Sequence, residues 1–189
     1  MKKKVRITLD IALVALIVGW IIFLVLYTPS RLIEYLGVTN TYLLVFLFTL
    51  LGGIATIAFV SVYPHVIAFS AAGLNPFVIG IVAAVGHTVA NLLFYYFGQK
   101  GSNIARTSPG FNKATKSMLK WVDKKPCWCV YVFIFLYVGF TPFPNNLLTA
   151  YGGIINFSVK RILAPLVLGN IVLFSAVAYL SSIGSQLIG

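Results

Sequence analysis

Two apolar stretches of this chain are each interrupted by a proline and reach a glycine nine residues later: SVYPHVIAFSAAG, with Pro64 and Gly73, and TPFPNNLLTAYGG, with Pro144 and Gly153. Proline lacks the backbone donor and clashes with the preceding turn, so each stretch holds a helix break. A break deep in apolar sequence frees N–H and C=O groups that lipid cannot satisfy. It is tolerated only inside protein or beside a polar cavity. Paired interruptions at corresponding positions of two halves point to a duplicated membrane unit with a site near the bilayer midplane. Further agreement supports the duplication: Phe77 answers Phe157 at the same offset, and Gly86 answers Gly169 after a three-residue insertion.

A soluble fold is excluded by composition. Of 189 residues, 60% are hydrophobic and 9% charged, and the mean hydropathy is +0.98. A soluble domain of this size cannot hide so much apolar surface, whereas a bilayer solvates it. The formal charge of +11 would suggest a nucleic-acid partner in a soluble protein. Here the basic residues sit at the edges of apolar runs, so they report topology and anionic lipid headgroups, and no nucleic acid is expected. Cys127 and Cys129 are too few and too close for a disulfide framework and read as reduced fillers at the membrane edge.

Along the chain, a single membrane domain divides into four parts. Residues 1–40 hold a basic segment, KKKVR, an apolar helix over 11–27 that is retained rather than cleaved, and a connector. Residues 41–98 form a first hairpin-helix unit, with apolar runs over 41–63 and 76–98. Residues 99–126 carry half of the fourteen basic residues and read as a cytoplasmic loop. Residues 127–182 form the second unit, with the break inside 127–153 and a spanning helix over 162–180.

Charge parity then constrains the breaks. The N-terminus and the 99–126 loop are both basic, so an even number of crossings separates them. Helices 11–27 and 76–98 supply two. The ten residues from Pro64 to Gly73 are too few to cross back, since a span needs about 20. Segment 41–75 is therefore expected to be a re-entrant hairpin entering from outside and turning near Pro64. By the same count 127–153 enters from the cytoplasm. The expected fold is an all-α polytopic membrane protein: an inverted repeat of re-entrant hairpin plus transmembrane helix, with an N-terminal transmembrane helix and a cytoplasmic amphipathic helix. The competing arrangement is a six-span bundle of ordinary kinked helices.

The run GHTVANLLFYYFGQKG, Gly86 to Gly101, resembles the Gly-rich, Tyr-bearing helix end of the DedA superfamily, also called the VTT or SNARE-associated domain. FTPFPNNLLTAYGGIINF resembles that family's second re-entrant motif. The resemblance spans roughly residues 41–182 and implies two facing hairpins in a protein whose relatives move phospholipids or polyprenyl-phosphate carriers between leaflets. The chain also departs from the family. Where bacterial relatives carry acidic residues in the first hairpin and near the end of the following helix, this chain has His65 and Asn91. Its only acids, Asp10, Glu34 and Asp123, fall at membrane edges or in loops.

The candidate substrate path therefore comprises Pro64, His65, His87, Asn91, Pro142, Pro144, Asn145, Asn146 and Arg161. An imidazole can shuttle protons near neutral pH, or serve only as a hydrogen-bonded residue between helices. Asn145 and Asn146 follow a helix break, where their amides can hold a phosphate or glycerol headgroup without burying net charge. They can equally cap the next helix. Lys160 and Arg161 read as interfacial anchors, and the family resemblance implies that a basic residue here, Arg161, meets the lipid phosphate. Gly73, Gly86, Gly152, Gly153 and Gly169 are expected to permit close hairpin packing.

In the loop, Lys113, Lys116, Lys120 and Lys124 fall on one stripe at 100° per residue, with Phe111, Met118 and Val122 opposite. Pro109 and Gly110 precede this amphipathic segment, Pro126 closes it, and Trp121 suits an interface. No nucleophile, phosphate-loop or metal-ligand motif supports an enzyme, and no cofactor is expected. The reading is a lipid translocator in a prokaryotic plasma membrane, N-terminus cytoplasmic, with membrane lipids and anionic headgroups as partners and homo-oligomer formation open. The alternatives are a proton-coupled transporter of a small solute or ion, and a non-transporting membrane assembly protein.

Overall fold

The computed structural model describes residues 28–55, 62–106, 126–141 and 144–188. The helix expected over 11–27 and the lysine stripe of 113–124 lie outside the described residues. So does Pro142. Among the described residues the chain is all-helical: α1 (Pro29–Ala55), α2 (Tyr63–Ala71), α3 (Pro76–Arg106), α4 (Cys127–Phe140), α5 (Asn145–Ile154) and α6 (Val159–Ile188). It divides into two compact units, Met1–Thr41 and Tyr42–Gly189.

In the first unit, α1 starts well before residue 41, where the apolar run begins. Pro29 stands in the first turn, where a missing N–H costs no hydrogen bond, and Arg31, Leu32, Ile33 and Glu34 are adequate helix formers. Gly37 then departs from helical geometry at φ 76°, ψ 162°, a conformation open essentially to glycine alone. Thr41 Oγ1 donates to the Gly37 carbonyl at 2.8 Å, giving it a partner at the break.

Among the described residues, three helices are long and apolar enough to cross a bilayer: Pro29–Ile54, Pro76–Ser102 and Val159–Leu187. Their surfaces agree with an integral membrane protein. On α3 the exposed positions include Ile81, Val85, Val89 and Leu93, spaced by four, whereas His87, Thr88 and Asn91 are buried. Apolar outside and polar inside reverses the arrangement of a soluble helix and suits a lipid surround.

α3 and α6 run antiparallel through the second unit. The Phe77 ring lies 5.9 Å from that of Tyr179, Thr88 bonds Asn170, and Tyr95 Oη donates to the Phe157 carbonyl at 2.8 Å. The remaining helices line this pair in two arms each. In the first hairpin segment, the Asn75 N–H donates to Tyr42 Oη at 3.2 Å, so its two ends meet. From there α1 follows α3 inward, with Gly86 against Thr49 and Phe46, and Gly53 against His87 and Ala90. α2 begins beside Gly52, through Val62, and returns along α6, where Ser70 donates to the Ala178 carbonyl at 2.6 Å.

The second segment approaches from the other end of the pair. Near its start α4 packs Val130 and Ile134 with Tyr95 and Ile162, and its last turn reaches Gly169 through Val138 and Gly139. After the break, α5 runs back along α3 and reaches Tyr95 and Gln99 at Gly153. The close approach is backbone to backbone: a Cβ at Gly98 would strike the Ala150 carbonyl, and one at Gly153 the Tyr95 carbonyl.

α2 and α5 end in the same way. The Leu74 N–H bonds the Phe69 carbonyl and that of Gly73 the Ser70 carbonyl, with Gly73 at φ 95°. The Phe157 N–H bonds the Gly152 carbonyl and that of Asn156 the Gly153 carbonyl, with Asn156 at φ 55°. Both are Schellman closures with a left-handed residue, glycine in one and asparagine in the other. The interval from Gly73 to Asn156, the two left-handed closing residues, equals that from Gly86 to Gly169.

Two further boundaries differ from expectation. α3 continues to Arg106, so residues 99–106 belong to the helix rather than the connector. α6 covers Val159–Ile188 instead of 162–180, since Lys160 and Arg161 are good helix formers and stay exposed on its first turn.

The glycine contacts carry a direct test. Gly153→Ala is expected to destabilise the protein by about 1–3 kcal/mol or more, because backbone cannot move aside as a side chain can. Gly73→Asn is expected to cost under about 1 kcal/mol, since nothing lies within 4 Å of its added Cβ and asparagine tolerates positive φ. Thermal unfolding of the detergent-solubilised variants distinguishes the two roles.

Candidate functional site

The heads of α2 and α5 lie at the same level of the α3/α6 pair. At the head of α2, the Tyr63 ring lies 5.9 Å from that of Phe174, and the His87 ring meets Phe174 from the other helix at 5.3 Å, edge to face. At the head of α5, Asn145 Nδ2 donates to Asn170 Oδ1 at 3.2 Å, and Asn170 Nδ2 donates to Thr88 Oγ1 at 3.0 Å. Asn146 Nδ2 donates to the Gly53 carbonyl at 2.7 Å, and Gly53 abuts His87. Asn170 and Phe174 are one helical turn apart. These residues lie near the midpoints of the apolar spans Pro76–Ser102 and Val159–Leu187.

Asn145 and Asn146 are not N-caps. Pro144 holds the cap position with extended backbone and no side-chain cap bond, and the asparagines are the first two residues of the helix. Their side chains reach other helices instead. The local reason is the proline: its fixed φ suits a helix entrance but leaves the following amides to find partners elsewhere. Thr149, fully buried one turn on, bonds the carbonyls of both.

Among the described residues, several polar atoms in this cluster have no hydrogen-bond partner: Asn91 Oδ1 and Nδ2, Asn145 Oδ1, Asn146 Oδ1 and His87 Nδ1. Asn91 is fully buried, one turn beyond His87 and Thr88 on α3. Leaving a buried amide group unpaired costs about 1–3 kcal/mol by protein mutational data, so the group as a whole costs several. Packing does not require such residues, and leucine would fill the space more cheaply.

The predicted residues divide clearly. The structure brings together His87, Pro144, Asn145 and Asn146, and buries Asn91 one turn further along α3. Gly86 and Gly169 pack close by, Gly86 against α1 and Gly169 against α4. Pro64 lies in the first turn of α2, and His65 is buried with its ring 5.1 Å from that of Phe48. Gly152 meets Ile162 below the cluster. Arg161 is exposed and lies nine residues before Asn170, about 13 Å along the helix at 1.5 Å per residue. It is not part of the cluster. Gly73 serves a turn rather than hairpin packing.

Four members escaped the sequence reading. Asn170 carried a usable signal, a lone asparagine in the apolar run LVLGNIVLF. Thr88 is adjacent to His87. Gly53 contributes a backbone carbonyl and Phe174 an apolar ring, and nothing in the local sequence marks either.

No family model, no curated protein and no solved structure matches the chain.

Asn91 and Asn170 are expected to respond oppositely to loss of the amide. Asn170→Leu strips a partner from both Asn145 and Thr88 and should lower stability by about 1–3 kcal/mol. Asn91→Leu removes an amide without partners among the described residues and should leave the melting temperature equal or higher. A large loss at Asn91 would mean that bound water or ligand completes its hydrogen bonding.

Proposed function

We propose that the chain is a DedA/VTT-like lipid translocator, in which a headgroup passes between the two helix breaks while its acyl chains stay in the membrane. One observation carries this reading: two proline-broken helices converge, from opposite ends of an antiparallel helix pair, on a buried asparagine cluster with unpaired polar atoms. Broken helices meeting at the midplane of duplicated, oppositely oriented units are the usual setting of a membrane transport site. In this reading the segments 42–75 and 127–156 are re-entrant hairpins entering from opposite faces. The bond between Asn75 and Tyr42 supports the first, because it joins the ends of the segment at one level. The N-terminus and the basic segment around Lys113 to Lys124 face the cytoplasm, where anionic headgroups attract the lysines at about 1 kcal/mol each.

The topology is tested by labelling. In a chain with Cys127 and Cys129 replaced, a cysteine at the exposed position 38 should react from outside and one at exposed position 100 from inside. Reaction of both from one face refutes the inverted arrangement.

Transport is tested with fluorescent phospholipid in proteoliposomes. The wild-type chain should equilibrate lipid between leaflets, and Asn145→Leu with Asn146→Leu should abolish this while the protein stays folded. Unchanged movement in a folded double variant would leave the asparagines a packing role.

Exchange should also proceed without a proton gradient. Glu34 is the only carboxylate among the described residues, and it is exposed in the Met1–Thr41 unit. A pH step should therefore drive no accumulation. Accumulation that needs the step and vanishes in His65→Gln would favour a proton-coupled carrier.

A further inference from the structure

We infer that the cluster at the helix breaks recognises hydroxyl groups that donate hydrogen bonds, and so takes a polyol-bearing headgroup in preference to a bare phosphate. The inference rests on the translocator reading and narrows its substrate class. It follows from which amide atoms are already used. Asn146 Nδ2 is bound to the Gly53 carbonyl, and Asn145 Nδ2 to Asn170 Oδ1. The donors that would grip a phosphate are thus engaged. Among the described residues, the atoms left over are the carbonyl oxygens of Asn145 and Asn146, both amide atoms of Asn91, and His87 Nδ1.

The orientation of Asn146 is forced, because a backbone carbonyl only accepts. Asn145 and Asn170 can turn together and exchange donor for acceptor, with the Thr88 hydroxyl serving either way. Even then, acceptors remain at Asn146 and Asn91. A phosphodiester presents acceptors alone and would face these oxygens with few donors to bind it. A hydroxyl donates to one oxygen and accepts from Asn91 Nδ2, so it suits the mixed set.

Two competing ligands must be weighed. A cation also binds neutral oxygens, but no carboxylate among the described residues of Tyr42–Gly189 would balance its charge in an apolar interior. The N-terminus of α5 favours an anion. Opposing it, the Leu147 N–H is already closed on the Pro144 carbonyl at 3.2 Å, and the first two side chains of the helix each carry an unpaired oxygen.

The decisive comparison holds charge constant. Acyl-labelled phosphatidylglycerol and phosphatidylmethanol carry the same phosphodiester charge, and only the first has free hydroxyls. In proteoliposomes of the full chain, phosphatidylglycerol should cross at least tenfold faster. A neutral glucosyl diacylglycerol should cross at a comparable rate, and Asn91→Leu should abolish the advantage of phosphatidylglycerol over phosphatidylmethanol. Equal rates for the two phospholipids overturn the hydroxyl inference and leave the translocator reading standing. Exchange that stops when sodium is replaced by choline overturns it in favour of a cation.

If no lipid crosses, the translocator reading fails, and recognition is then decided by binding alone. Native mass spectrometry of the purified protein with each lipid should show preferential retention of phosphatidylglycerol, lost in Asn91→Leu. Equal retention of both lipids overturns the inference by that route as well.

Discussion

The structure depends on the backbone contact between α3 and α5. Gly98 and Gly153 let the two helices approach until the carbonyls of Ala150 and Tyr95 occupy space that any side chain would need. Lipid supplies no hydrophobic force between helices, so association in a bilayer relies on such close packing and on hydrogen bonds. With the axis of α5 fixed this closely, Asn145 and Asn146 at its head have little freedom. They meet Asn170 and Gly53, and the apolar cluster of Tyr95, Val130, Ile134, Val138, Ile162 and Leu166 holds α4 and α6 in register on the other side.

The breaks and the cluster explain one another. A helix that stops in the middle of a bilayer exposes backbone groups, and their cost is relieved only by polar neighbours. Asn145, Asn146, Asn170 and Thr88 provide these, although among the described residues the set of hydrogen bonds is incomplete. The incompleteness is informative because partly satisfied polar networks are less stable than apolar cores. Retaining one at the meeting point of two breaks fits a site whose remaining partners come from water or a ligand.

Much of the architecture was legible in the chain. Proline in the apolar runs marked both breaks, and α2 and α5 begin within a residue of Pro64 and Pro144. The lengths and compositions of the apolar runs marked α3 and α6. Helix ends were less legible: α3 continues past Gly98 because nothing before Arg106 stops it, and a helical stretch from Pro29 precedes the non-helical Gly37, ahead of the apolar run that begins at residue 41. The residue that closes α5 was not legible for a physical reason. Positive φ can be met by asparagine as well as glycine, so Asn156 closes α5 in the conformation that Gly73 adopts after α2, and a search for glycines passes over it.

The sequence by itself determined that this is an apolar, helical chain with two interruptions, because hydropathy and proline act locally and can be read residue by residue. It also supplied the asparagines beside the second interruption. Which atoms of those asparagines stay available was decided only by tertiary structure. That depends on the carbonyl of Gly53, 93 residues from Asn146, and on Asn170, 25 residues from Asn145. An amide carries a donor and an acceptor on one side chain, and only its neighbours in space determine which of the two is left to face a ligand.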